Sequence, residues 1–268
     1  MTNSHVASPT ALARRVLGAR QINHLVRFAP ILDLVREVSA TGGTLLDVGS
    51  GSRGIASLLP PGWQATSVDA DFEDYGAKYA SRGTSPEQVL GDVRALPFAD
   101  MTFDVVIAVD LLEHVPADGR EQAVRELCRV ARSRVVVACP AGEEALAADR
   151  RLADRIREDG RAVPPWLTEH LANGFPTARE IEAAAAPFGE VRVLANENIA
   201  AHERLVAAEL TPVSAVALRI LGRPLEAMLA SRRSRQRRLA GAALLAIRGS
   251  DHAPTYRAVV AIDIAGPS

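Results

Sequence analysis

A short apolar run that leads straight into three closely spaced glycines constrains this 268-residue chain more than any other feature. The run is Thr44-Leu45-Leu46-Asp47-Val48, followed by Gly49-Ser50-Gly51-Ser52-Arg53-Gly54 and a second apolar stretch over residues 55–59. A run this short, bounded by glycine on both sides, suits a buried strand better than a helix. Glycine takes positive φ without a Cβ penalty, so the chain can turn sharply after the strand and leave its backbone open to a ligand. Residues 55–59 then predict a helix that ends at Pro60-Pro61-Gly62, and its N-terminus would offer N–H groups to a polar ligand.

The same alternation continues along the chain. Residues 64–68, 88–90, 103–109 and 134–139 read as strands, and 72–80 and 120–132 as helices. Continuous apolar strands set between helices imply an α/β fold, a doubly wound parallel sheet covered on both faces. Ahead of them, residues 1–10 read as a loose tail. Helical spacing over 11–39 predicts two helices, with Pro30 marking a start or a kink. Beyond Pro140 the pattern changes. Residues 141–186 are mostly helical, broken at Pro164-Pro165 and at Asn173-Gly174-Phe175-Pro176; 191–194 is a strand, 199–248 is helical with Pro212 and Pro224 as punctuation, and 256–264 is a last strand.

Composition narrows the function classes. Hydrophobic residues make up 48% and charged residues 24%, which excludes global disorder and allows a full core. With 31 Lys+Arg against 32 Asp+Glu the chain lacks the basic excess of a protein that wraps nucleic acid, so no nucleic-acid partner is expected. No apolar run reaches the ~18 residues of a membrane span, and the first ten residues carry no secretory signal. Cys128 and Cys139 form no disulfide framework and lack metal-ligand spacing; they read as buried small hydrophobes in a cytoplasmic protein, with no metal expected.

Gly49, Gly51 and Gly54 spell G-x-G-x-x-G, and Asp69 lies twenty residues past Gly49, a pattern that receives a nucleoside-type cofactor. An NAD(P)-dependent oxidoreductase would share this turn. Asp47 argues against it, because a carboxylate beside a pyrophosphate repels it and suits a cationic ligand instead. Over residues 44–140 the chain resembles the class I S-adenosylmethionine-dependent methyltransferases. Asp47, Gly49 and Gly51 match the acid-x-Gly-x-Gly motif. Asp69 matches the acid of the ribose hydroxyls, and Gly91-Asp92-Val93 with Leu96-Pro97-Phe98 matches the segment whose acid takes the adenine amino group. Phe103-Asp104-Val105-Val106 through Asp110-Leu111-Leu112-Glu113-His114-Val115 is similar to the fourth-strand motif of the small-molecule members. Arg53 stands where the family often has another glycine.

The resemblance implies S-adenosyl-L-methionine as cofactor, held by Asp47, Gly49, Ser50, Gly51, Asp69, Ala70, Asp92, Val93 and Asp110. It also implies a Rossmann-like seven-stranded sheet of order 3-2-1-4-5-7-6 with the last strand antiparallel. The expected organisation is N-terminal helices over 1–40, the cofactor-binding core over 41–140, a helical insert or lid over 141–186, and C-terminal strands over 187–268 interrupted by a helical insert at 199–248.

In such sheets the ligand crevice lies outside the carboxyl ends of the strands. Asp110, His114, residues 195–198, residues 250–254 and the insert after Pro140 should therefore meet there. His114 is the leading candidate for a general base, since an imidazole titrates near neutral pH. His252 beside Asp251 is the second candidate. His170 and His202 have weaker claims, His5 and His24 have none, and Asp104 reads as a surface turn residue. Trp166, Leu167, Leu171, Phe175 and Pro176 form either a lid that excludes water or a helical decoration. Arg232, Arg233, Arg235, Arg237 and Arg238 form a basic run that is either a solvated face or a contact for an anionic membrane or a phosphorylated substrate. The expected activity is methyl transfer to a small molecule, as O-methylation of a natural product, sugar or lipid-linked metabolite. An NAD(P)-dependent oxidoreductase and a catalytically silent binding module remain as alternatives.

Overall fold

Seven strands lie in one sheet: β1 (Gly43–Val48), β2 (Trp63–Asp69), β3 (Glu87–Leu90), β4 (Phe103–Val109), β5 (Ala131–Pro140), β6 (Gly189–Asn198) and β7 (Thr255–Ile264). Their order is β3-β2-β1-β4-β5-β7-β6. β1 to β5 run parallel, and β7 is antiparallel to both β5 and β6, as the sequence reading expects. Around them pack α1 (Ile22–Val38), α2 (Arg120–Val130), α3 (Gly142–Glu158), α4 (Pro165–Asn173), α5 (Ala178–Ala185), α6 (Ile199–Glu209), α7 (Pro212–Leu229) and α8 (Ser234–Arg248). This computed structural model describes residues 22–51, 54–72, 87–249 and 254–266. The first expected helix ahead of Ile22, nearly all of the one expected over 72–80, Arg53, and the pair Asp251 and His252 lie outside the described residues.

β4 and β5 read as continuous apolar runs because they sit mid-sheet, with helices on both faces. Alternate residues serve opposite layers. Leu46, Val106, Val135, Val137 and Val260 pack with Leu127 of α2 and Ile181 of α5. Leu45, Ile107, Val136 and Val259 pack with Leu25, Ile31 and Leu32 of α1 and with Leu244 of α8. Cys128 and Cys139 are buried free thiols. Burial pushes Cys128 up to about 12, which keeps it an inert thiol.

Three local expectations need correction. Residues 55–59 do not open an α-helix; Ile55–Leu58 makes a single 3-10 turn. Pro60 and Pro61 follow so closely that no second turn can form. Pro30 does not start a helix, because α1 runs through it; of the two expectations only a kink remains open to it. A proline inside a helix leaves the carbonyl four residues back without its N–H donor. Here that carbonyl belongs to Val26, and the buried Asn196 side chain of β6 donates to it at 3.5 Å. Asp104 is not a surface turn residue but lies in β4. Its carboxylate accepts from the Thr44 N–H at 2.9 Å and pairs with Arg132 at 2.5 Å, tying β4 to the start of β1. Among the described residues no single helix is long and apolar enough to cross a membrane.

Candidate active site

The carboxyl ends of β1, β2, β3 and β4 and the start of β7 open onto one cavity of about 740 Å³. Asp47, Gly49, Ser50, Gly51, Asp69, Ala70, Asp92, Val93 and Asp110 all line it, and so does His114.

The first wall is built by the glycine turn. Gly49 and Gly51 adopt φ of +73° and +52°, which L side chains rarely reach. The Gly51 N–H donates to Asp69 Oδ2 at 2.8 Å, so the acid at the end of β2 holds the turn shut. Asp47 is 2% exposed, and its Oδ2 accepts from the Ile55 N–H at 2.6 Å. The expected free N–H group at this helix start is thus already taken by the chain's own carboxylate. A Cβ on Gly54 would lie 2.2 Å from that same Oδ2, which explains the third glycine as a clearance for Asp47. Asp92 pairs with Arg94 at 2.5 Å, and this hydrogen bond keeps its carboxyl below the usual range. Among the described residues Arg94 is the one cation on this wall.

The opposite wall is a network of buried charges. Asp110, at φ +52°, sits between Arg27 of α1 and Arg257 of β7. Burial opposes its ionisation, but the two guanidinium charges outweigh that and bring it down to about 2. Arg257 also donates from Nε to Glu197 Oε2 at 3.0 Å. Burial would raise Glu197, yet the hydrogen bond from His202 and the charge of Arg257 bring it to about 2. His202 is held below its ordinary pKa by burial and stacks on Tyr256 with ring centroids 3.4 Å apart. Tyr256 donates to Asp149 at 2.9 Å, and Asp149 accepts from His170 Nδ1 at 2.7 Å. His114 Nδ1 donates to Glu169 at 2.8 Å, with its side chain 24% exposed.

This wall departs from the sequence reading in several places. His170 and His202, the weaker candidates, both line the cavity, and so does His24, which had no role. Trp166 and His170 of α4 line it too, whereas Leu167 and Phe175 are buried in packing. Residues 195–198 reach the crevice region through Glu197, which grips Arg257. Asp110 has its carboxylate committed to protein arginines. Sequence reasoning missed Arg27, Arg257 and Glu113. Glu113 was legible in one respect: it is an acid set among Leu111, Leu112 and Val115, where burial is expected.

Known proteins give the following comparison. The family model described as a methyltransferase domain matches residues 46–139. Norajmaline N-methyltransferase of Rauvolfia serpentina is 29% identical over 141 residues, covering 46% of this chain and 42% of that protein, so the match spans less than half the length of this curated relative. The PH0226 protein of Pyrococcus horikoshii OT3 is 23% identical over 65% of this chain and 86% of that one, with a TM-score of 0.47. Phosphoethanolamine N-methyltransferase 2 of Haemonchus contortus, solved in complex with S-adenosyl-L-methionine, is 15% identical over 85% of this chain and 49% of that one, with a TM-score of 0.48. The family match lies over β1 to β5 and the glycine turn, so residues 46–139 are similar to a methyltransferase domain.

Proposed function

We propose that this chain transfers a methyl group from S-adenosyl-L-methionine to a hydroxyl oxygen of a small molecule. The observation that carries the reading is the single cavity that joins the glycine turn to a wall of histidines, arginines and carboxylates. The cofactor supplies a methyl group on a cationic sulfur. The first wall fits such a ligand: Asp47, Asp69 and Asp92 line it, and its described cation, Arg94, is already paired. A pyrophosphate would find no free positive charge there among the described residues.

In this reading Asp69 accepts from ribose hydroxyls and Asp92 from the adenine amino group. Gly49, Ser50, Gly51, Ala70 and Val93 present the backbone surface, and Asp47 holds the turn in shape. Asp110 keeps Arg27 and Arg257 in place beside the ligand. His114 activates the acceptor through its second ring nitrogen, since Glu169 occupies Nδ1. Asp251 and His252 stand as the second candidate pair. α4 acts as a lid, with Trp166 and His170 shielding the sulfonium from water. The acceptor is a natural product, sugar or lipid-linked metabolite. Arg232, Arg233, Arg235 and Arg238 are exposed beside the exposed Leu239 and Leu245, an arrangement suited to a phosphate-bearing surface or substrate. Two buried free thiols suit a reducing cytoplasm.

Thermal shift tests the cofactor reading. S-adenosylhomocysteine should stabilise the protein, while NAD(H) and NADP(H) should not; the reverse result overturns it. Cofactor binding without turnover across hydroxyl acceptors would favour a silent binding module. Asp69→Ala and Asp92→Ala should each weaken S-adenosylmethionine binding by ~1.5–3 kcal/mol, roughly ten- to over a hundredfold, the usual loss for a hydrogen bond to a charged acceptor. Calorimetry that finds both affinities unchanged would remove these residues from the site.

A further inference from the structure

We propose that Glu113, His114 and His170 form a divalent-metal site on the acceptor wall, at which the acceptor hydroxyl binds and loses its proton. The acceptor half of this proposal rests on the methyltransferase reading above; the metal-binding half stands on the geometry alone.

Glu113 is 0% exposed, and among the described residues neither of its carboxylate oxygens has a hydrogen-bond partner from another residue. A buried carboxylate left bare is costly and calls for a cation or a donor that completes it. Both oxygens belong to a side chain that lines the cavity beside two imidazoles. One ligand atom each from Glu113, His114 and His170 lie within 4.8 Å of one another. These residues come from the loop after β4 and from α4, elements far apart in the chain.

The histidines are also held as metal ligands usually are. His170 gives its Nδ1–H to Asp149 at 2.7 Å, and His114 gives its Nδ1–H to Glu169 at 2.8 Å. A carboxylate on one ring nitrogen fixes the tautomer and leaves the other nitrogen as a lone-pair donor. Asp149 is itself anchored by the Tyr256 hydroxyl at 2.9 Å.

Two imidazoles and one carboxylate suit Zn²⁺ or a neighbouring first-row divalent ion. Ligand atoms ~2.1 Å from a tetrahedral ion lie ~3.4 Å apart, so binding draws groups now up to 4.8 Å apart together by up to about 1.4 Å. Three protein ligands leave a position open toward the cavity. A hydroxyl oxygen bound there is acidified, as water is on a catalytic zinc. The oxygen keeps the electron pair of the broken O–H bond, and the proton passes to water. With the ion bound, the second ring nitrogen of His114 is a ligand, and the ion takes over from it the activation of the acceptor.

The test uses full-length protein stripped with EDTA and titrated with Zn²⁺ by calorimetry and with Co²⁺ by visible absorption. One equivalent of either ion should bind, with a low-symmetry Co²⁺ spectrum. Glu113→Gln and His170→Ala should each weaken binding more than about a hundredfold, beyond the ~10–100-fold loss expected for the outer-shell variants Asp149→Asn and Glu169→Gln. Unchanged affinity for S-adenosylhomocysteine would show that each variant is folded. Glu169 is 58% exposed on its side chain, so its variant tests the geometry without risk to the core. The proposal is overturned if neither ion binds at one equivalent, or if Glu113→Gln and His170→Ala bind as tightly as the parent. Full turnover by stripped protein removes the metal but leaves His114 as a free base and the methyltransferase reading intact. Failure to bind S-adenosylhomocysteine overturns that reading and the acceptor role, while the titration still decides the metal site.

Discussion

His114→Ala should lower methyl transfer by ~10²–10⁴ and leave the affinity for S-adenosylhomocysteine nearly unchanged, the range that removal of an acid–base group produces. The separation of the two effects follows from the cavity's two walls. His114 lies in the loop after β4 and faces α4, where Glu169 holds its Nδ1 at 2.8 Å. The glycine turn and the acids Asp69 and Asp92 stand at the ends of β1, β2 and β3. Single-turnover kinetics paired with calorimetry on one preparation reads both quantities. Glu169→Gln should produce a smaller loss of rate, because it loosens the ring without deleting it. Turnover within a few-fold of the parent in His114→Ala, with a large loss in His252→Ala, would move the role to His252 and Asp251. No loss in either would leave alignment of the sulfonium and the acceptor as the source of the rate.

Arg257→Met should destabilise the fold by about 3–5 kcal/mol, the usual result of removing one partner from a buried ion network. Arg257 is 3% exposed on its side chain and serves two acids, Glu197 at 0% and Asp110 at 20%. Without it both carboxylates lose their main counter-charge, although Arg27 still reaches Asp110 at 2.5 Å. Urea unfolding measures the loss. Arg257→Met combined with Glu197→Gln should recover part of it, since residues in one network are coupled rather than additive. A loss below about 1 kcal/mol in the single variant, the size of an exposed pair, would show that water screens the network.

The same acids set a pH dependence. Glu197 and Asp110 fall to about 2 in the folded chain, from ordinary values of 4.5 and 3.8. A carboxyl depressed by folding contributes stability above its unfolded pKa and loses it as pH falls through the folded one. Their contribution, on the order of 3 kcal/mol for Glu197 and 2 kcal/mol for Asp110, should therefore be complete above about pH 5 and disappear between about pH 4.5 and 2. The unfolding midpoint of the parent should drop across that window, and the drop should be shallower in Arg257→Met.

Much of the frame was legible in the residues because hydrophobic patterning is a local signal. The continuous runs of β4 and β5 and the amphipathic α2 mark a sheet covered on both sides, whatever lies elsewhere in the chain. Gly49 and Gly51 require a turn with positive φ, and an acid at each neighbouring strand end marks one wall of the cavity. Local patterning failed where a partner far along the chain decides the outcome. Pro30 does not start a helix as one reading had it, and the Val26 carbonyl it leaves without a helix donor accepts from Asn196, 170 residues away. Asp104 looks like a turn residue until Thr44 and Arg132 are placed around it. Asp47 was legible as an acid before a glycine turn, but its grip on the Ile55 N–H depends on the path the turn takes. The opposite wall was the least legible, since its groups come from α1, the loop after β4, α4, α6 and β7. Whether Glu113 meets a histidine, or Arg257 meets two acids, depends on distances of a few ångströms across the sheet, and Coulombic and hydrogen-bonding partners carry no period that a sequence displays. Residue patterning alone specifies the layered sheet and the glycine turn, because both are local; which charges are paired and which carboxylate is left bare follow from how distant elements pack.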